Sequence, residues 1–163
     1  MATSSIAYRA IITGIALLMM AACASKPPED VTIKGSLQAV DDVNPDGNGR
    51  PSPLVVKIFQ LKGKDKFEQA DFFELFEEAE ATLKTDLLDV EDVMLAPGEY
   101  KSYEGKFDPA TRFVGVIGAY RDIHQAEWKS IIEMPEKSVM KFLKRSPLTI
   151  KAESLSITVS AGD

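Results

Sequence analysis

The chain has 163 residues, enough for one domain with a core that buries about 68 % of the unfolded surface. Its 25 acidic and 19 basic residues give a formal net charge of −6, which argues against nucleic acid or an anionic lipid surface and suits a partner with a basic face. A single cysteine, Cys23, leaves no disulfide to be made within the chain.

Residues 1–22 read MATSSIAYRAIITGIALLMMAA. One positive charge, Arg9, precedes an apolar run from Ala10 to Ala22 that only Thr13 and Gly14 interrupt. That is the layout of a secretory signal, too short for a comfortable transmembrane helix. It closes on Met20-Ala21-Ala22-Cys23, which resembles the bacterial lipobox: an apolar residue, two small residues, then an obligatory cysteine whose thiol receives the diacylglycerol. Met20 stands where leucine is usual. Three acyl chains hold a protein firmly, since each buried methylene is worth ~0.8 kcal/mol. The expected organisation is therefore a signal peptide at 1–22, a lipidated tether at 23–30 and a domain at 31–163. Without the leader the net charge becomes −7, since Arg9 is lost and 18 basic residues face 25 acidic ones. Among Gram-negative lipoproteins, Asp directly after the cysteine tends to retain the protein in the inner membrane. Ala24 and Ser25 follow here, so the expected address is the outer membrane, periplasmic face.

Ala24 to Asp30 is a polar tether with two prolines. Val31, Ile33, Gly35, Leu37 and Ala39 then alternate with polar residues, a period of two that predicts a half-buried strand. Asp41 to Pro53 (DDVNPDGNGRPSP) is the densest turn signal in the chain, with three prolines, two glycines, two asparagines and three aspartates. Leu54 to Leu61 is more continuously apolar, as expected of a strand interior to a sheet. The next stretch is the helical one. Asp65 is placed to cap it, with Glu68 completing a capping box. Phe67, Phe72, Phe73, Phe76 and Leu83 recur at near-helical spacing as core, and Glu74, Glu77, Glu78 and Glu80 form a solvated face.

Strands resume after Leu87-Leu88. Val93-Met94-Leu95 leads into a turn at Ala96 to Glu99, and Lys101 to Phe107 offers Tyr103 and Phe107 to the core. Arg112 to Arg121 is a strand whose Gly115 and Gly118 suggest a bulge or a close backbone approach. Trp128 to Met134 is another. Pro135 to Pro147 is a connection bearing Lys137, Lys141, Lys144 and Arg145, with room for a short helical turn around Met140–Leu143. Leu148, Ile150 and Ala152 alternate, then Leu155, Ile157 and Val159 alternate one residue out of phase, which fits a bulge or a tight hairpin at Glu153-Ser154. Seven or eight short strands without alternating helices predict a mainly β chain, a two-sheet β-sandwich with a small helical insertion.

Chemistry is scarce. With the thiol acylated, cysteine catalysis and thiolate metal sites are excluded, and no nucleophile elbow, phosphate loop or His-Glu-x-x-His occurs. His124 reads as a loop or surface residue. One string resembles the opening of a calcium loop: Asp42, Asn44 and Asp46 at positions one, three and five, then Gly47. Position twelve is Pro53 where a bidentate Glu is required, so an Asx-rich turn is the simpler reading. No enzyme activity and no cofactor are expected beyond the lipid on Cys23.

Several segments together carry a resemblance: the lipobox; Val55-Val56-Lys57-Ile58-Phe59-Gln60-Leu61-Lys62; Phe67 with Ala70-Asp71-Phe72-Phe73-Glu74-Leu75-Phe76; Leu95-Ala96-Pro97-Gly98-Glu99; and Val116-Ile117-Gly118-Ala119-Tyr120-Arg121-Asp122 followed by Trp128. In that order and spacing they resemble the TssJ family, the outer-membrane lipoprotein of the bacterial type VI secretion system. The resemblance implies a transthyretin-like β-sandwich with an added helical segment and no enzymatic activity. It implies binding to the periplasmic domain of the inner-membrane protein TssM, which associates with TssL, and it makes Tyr120 and Trp128 core residues. The partner-binding residues are inferred from the chain itself. The long polar loop joining the first two strands projects from a rigid scaffold, where binding residues tend to lie. Asn44, Pro45, Asp46, Gly47, Asn48, Gly49 and Arg50 are the candidates, with Arg50 foremost because arginine is enriched at interface hot spots. The loop is expected to have no structural duty in the core. The competing patch is Lys137–Arg145. The alternative function is a periplasmic ligand- or calcium-binding sandwich.

Overall fold

A computed structural model of the chain describes residues 30–134 and 147–162. The leader, Cys23 with most of its tether, and the Lys137–Arg145 patch lie outside the described residues.

Eight strands form two four-stranded sheets packed face to face. The first sheet holds β4 (Tyr100–Phe107), β1 (Val31–Ala39), β7 (Leu148–Ala152) and β8 (Ile157–Ala161), in that order. The second holds β3 (Leu87–Leu95), β2 (Leu54–Leu61), β5 (Phe113–Gly118) and β6 (Lys129–Glu133). Only β1 and β7 pair in parallel among these strands. The predicted β-sandwich with a helical insertion is what the chain forms.

The inter-sheet core takes Ile33 and Leu37 from β1, Val56 and Ile58 from β2, and Ile150 and Val159 from the far side of the first sheet. A second cluster lies on the outer face of the second sheet. There Phe59, Leu61, Phe113 and Ile117 meet Phe67 and Leu75 of the helical segment. This double burial explains why β2 reads as a continuous apolar run. It also explains the glycine in β5. A Cβ on Gly115 would lie 2.6 Å from Phe67 Cζ, so the close approach is real. No bulge accompanies it, because the pairing of β5 with both neighbours is unbroken; the irregularity falls at Gln60/Leu61 of β2 instead.

The helical stretch is three short helices, not one: α1 (Asp65–Gln69), α2 (Phe72–Phe76) and α3 (Ala79–Leu83), closed by a 3-10 turn at Lys84–Asp86. On one continuous helix, Phe67 and Phe72 would point about 140° apart. An extended residue at Ala70 (ψ 146°) re-aims the chain so that both rings reach the sheet. The capping box is likewise displaced. Lys64 caps α1 without a side-chain bond, whereas Asp71 and Glu74 form a reciprocal pair at the start of α2, each bond 2.9 Å. Phe67, Phe72 and Leu83 are buried as expected, Phe76 only partly, and Phe73 is 56 % exposed.

β3 starts at Leu87, so strands resume where Leu87-Leu88 placed them, although Asp89, Glu91 and Asp92 mask the period before Val93-Met94-Leu95. Asp92 faces outward beside Lys57, whereas Asp89 and Glu91 share the inter-sheet face with Gln60 and Ile58; charges on an edge strand are a usual guard against edge pairing. The phase slip near Ser154 resolves as a hairpin between β7 and β8.

Candidate functional site

The topology gathers four connections at one end of the sandwich. They are residues 40–53, 96–99, 119–128 and 153–156. β1 delivers the first, and hydrogen bonds tie the others to it. The amide of Ala39 donates to Glu99 O (2.8 Å), that of Gly98 to Val40 O (3.0 Å) and that of Val40 to Ala152 O (3.0 Å). Tyr120, buried as expected, donates its hydroxyl to Ser156 O at 2.5 Å and so pins the hairpin to the second sheet. Burial beside Glu153 pushes the Tyr120 phenol well above its ordinary pKa. Trp128 is only partly buried, and it packs against both clusters rather than inside one.

The 41–53 loop is built, contrary to the expectation of a segment without core duties. Val43 is fully buried in the inter-sheet core. Asn44 is 3 % exposed. Its Oδ1 accepts the Arg121 amide (2.8 Å) and its Nδ2 donates to Pro53 O (2.9 Å). Its φ of 49° is left-handed, a conformation that asparagine tolerates better than most residues. Ser52 is buried too and accepts a bond from Arg121 Nε at 3.1 Å. Asn44 is thus a clamp between the loop and the 119–128 connection, not a free contact residue.

The exposed tip runs from Gly47 to Arg50. Asp46 organises it. Its carboxylate accepts the amides of Asn48 (2.9 Å) and Arg50 (3.0 Å), and the Arg50 guanidinium closes on it with Nε at 2.8 Å and Nη2 at 2.6 Å. The Arg50 bonds, then the Asn48 amide, hold the Asp46 carboxyl below the usual carboxylate range. Gly49 supplies a φ of 75° that an L side chain rarely adopts. Arg50 keeps 75 % of its side-chain surface in solvent despite the ion pair. Beside the tip lies an open cleft of about 440 Å³ lined by Pro45, Asp46, Gly47, Arg121, Asp122 and Leu155. Of the seven predicted contact residues, the structure brings Gly47, Asn48, Gly49 and Arg50 to the surface, half-covers Pro45 and Asp46, and buries Asn44.

The calcium string does not converge. Asp42 takes the Ser154 hydroxyl, Asn44 Oδ1 the Arg121 amide, and Asp46 the Arg50 side chain. Among the described residues no cluster of three His, Cys, Asp or Glu side chains could hold a metal ion. His124 is exposed on the 119–128 connection.

Sequence reasoning missed Lys129. Its ammonium donates to three carbonyls at the end of α1, Phe67 O (3.2 Å), Glu68 O (2.8 Å) and Ala70 O (2.9 Å), and lies 5.0 Å from the Trp128 ring centroid. Partial burial lowers its pKa from the ordinary lysine value. No local signal in the sequence connects a strand lysine with carbonyls about sixty positions away.

A protein-family model described as type VI secretion lipoprotein (VasD, EvfM, TssJ) matches residues 31–159. The chain belongs to the TssJ family. It is a family of secretion-system lipoproteins and not of enzymes. Solved structures agree. The chain is 31 % identical to the type VI lipoprotein TssJ1 of Pseudomonas aeruginosa, covering 83 % of this chain and 98 % of that one at a TM-score of 0.73. It is 26 % identical to Serratia marcescens Lip, a membrane-bound component of the type VI system, over 79 % of this chain and 96 % of that one, with a TM-score of 0.70. A chain in a structure of a type VI membrane complex is 25 % identical over 79 % of this chain and 97 % of its own length, with a TM-score of 0.66. No curated protein sequence matches the chain.

Proposed function

We propose that lipid on Cys23 anchors this family member in the outer membrane, facing the periplasm. There it docks the trans-envelope complex by presenting its loop tip to the periplasmic domain of a TssM-like inner-membrane protein, and through that protein it links to a TssL-like one. The observation that carries the reading is the polarity of β1. Val31, the residue that follows the tether, pairs with Phe107 at one end of the sheet; Ala39 opens into the loop at the other. A nine-residue strand separates those ends by roughly 26 Å at about 3.3 Å per residue. A lipid upstream of Val31 therefore leaves the loop end directed away from the membrane that holds it.

Two further facts support the reading. The tip is held by its own hydrogen bonds, so little ordering remains to be done on binding. Similarity to a chain of a type VI membrane complex is in keeping with an assembly partner. The calcium alternative has lost its ligand set, since the three oxygens face different donors.

A photo-crosslinking residue in place of the exposed Asn48 tests the docking surface in cells. Cross-linking to the TssM-like protein is expected, and none is expected from a control at Thr158 on the outer face of the first sheet. Equal cross-linking from both positions contradicts the proposal. Cys23→Ser is expected to move the folded domain from the membrane to the soluble periplasmic fraction.

A further inference from the structure

An open cleft of about 630 Å³ separates the helical segment from the outer face of the second sheet. Phe76, Ala79 and Val90 form its apolar lining, and Glu77, Glu78 and Glu80 its rim. Lys57 crosses the floor. Its ammonium sits 5.0 Å from the Phe76 ring centroid and 3.0 Å from the Asp92 carboxylate, so its charge is already matched. Among the described residues no ion pair engages Glu77, Glu78 or Glu80.

The apolar lining continues beyond the cleft. Alternation along β2 puts Val55 on the same face as Lys57, and the pairing sets Met94, 62 % exposed, opposite Val55. On α2, Phe73 precedes the lining residue Phe76 by three positions, the spacing of neighbours on one helix face, and its ring is edge-on to Phe72 at 5.4 Å. The capping box at Asp71 and Glu74 fixes the start of α2 so that Phe72 enters the core and Phe73 faces water. Folding gains little from a phenylalanine left in solvent. Exposed apolar side chains collected beside a polar rim mark an interaction surface.

We propose that this face is a second docking surface, and that its occupant is a segment of another protein carrying basic side chains beside one or two apolar anchors. The charge of the rim selects the occupant. A second copy of this chain meeting it through the same patch would set three glutamates against three glutamates, and like charges across an interface cost affinity. The cleft is distinct from the one beside the loop tip, because the two share no lining residue. The proposal therefore stands whether or not the tip binds the TssM-like protein.

The lipidated chain in phosphatidylcholine nanodiscs, titrated with the labelled peptide acetyl-Arg-Ser-Phe-Arg-Ser-Leu-Arg-amide, tests it, with empty nanodiscs as the reference. The counterpart with every Arg replaced by Glu is expected to bind at least tenfold more weakly. The triple variant Glu77→Lys, Glu78→Lys, Glu80→Lys is expected to reverse that order, and Phe73→Ser to lower affinity at unchanged thermal midpoint. Arg50→Glu at the loop tip is expected to change nothing in this titration, which separates the two surfaces. No binding of either peptide, or binding indifferent to the charge reversal, overturns the proposal. Concentration-dependent dimers that Phe73→Ser abolishes would assign the face to a second copy and overturn it equally.

Discussion

Two irregular segments interrupt the strands, and they are held in opposite ways. The 41–53 loop, between β1 and β2, is fastened by polar groups: Asn44 to Arg121 and Pro53, Ser52 to Arg121, Asp46 to Arg50 and two amides. The 62–86 segment, between β2 and β3, is fastened by apolar burial of Phe67, Phe72, Leu75 and Leu83. Lys129 satisfies the carbonyls that α1 leaves open. Hydrogen bonds fix direction, so the loop presents a tip of defined shape. Burial fixes the position of the helical segment, while Phe73, Glu77, Glu78 and Glu80 stay exposed and add little to the fold. Substitutions should divide along that line.

The largest effect is expected from the apolar side. Phe67→Ala removes a ring with no exposed surface and should cost ~3–5 kcal/mol in urea unfolding, as aromatic truncations in cores do. A loss under 1 kcal/mol would mean that the helical segment is only loosely attached. Next comes the loop clamp. Asn44→Ala leaves the Arg121 amide and the Pro53 carbonyl without partners and puts alanine at a left-handed φ; together these should cost roughly 2–4 kcal/mol. Asn44→Gly should recover the backbone part alone. Lys129→Met uncaps three carbonyls at the end of α1 and is expected to cost ~1–3 kcal/mol, with the loop undisturbed.

Acidification gives the smallest effect, and it acts on the loop and not on the helical segment. The Asp46 carboxyl titrates below its ordinary value in the fold, because Arg50 and the Asn48 amide favour its charged form. Its contribution is complete above the ordinary carboxylate pKa and is lost as pH falls through the lower folded value. Amide exchange at Asn48 and Arg50 should therefore quicken, relative to free peptide, on going from pH 5 to pH 3. The amide of Ala70, buried at the end of α1 and bonded to Lys66 O, should not follow. Equal loosening of both segments would erase the distinction.

Much of the sandwich was legible in the sequence, for a physical reason. Val31 to Ala39 shows the period of two that one buried face demands, and Leu54 to Leu61 the continuous apolar run of a strand covered on both sides. The return to strands after Leu87-Leu88 was legible, but the period of β3 was blurred, because this edge strand carries charge at Asp89, Glu91 and Asp92. The helical segment was misread as one helix because periodicity records which residues are apolar, not where the chain turns between them. The extended residue at Ala70 has no signature of its own. At the loop, composition announced a turn but concealed the burial of Val43 and Asn44. The one legible hint was asparagine itself, a residue that accepts left-handed backbone and bonds its neighbours. What an exposed tip binds leaves no periodic trace at all.

In the proposed function the loop tip is the docking surface, prepared by Asp46 and contacted through Arg50. Titration calorimetry of the TssM-like periplasmic domain into the wild-type chain and into Arg50→Ala tests it most directly. The guanidinium is largely exposed, so the substitution should leave the thermal midpoint nearly unchanged. Affinity should fall more than tenfold, beyond the ~1 kcal/mol of a peripheral contact. Unchanged affinity in the folded variant would contradict the account and move the docking surface off the loop.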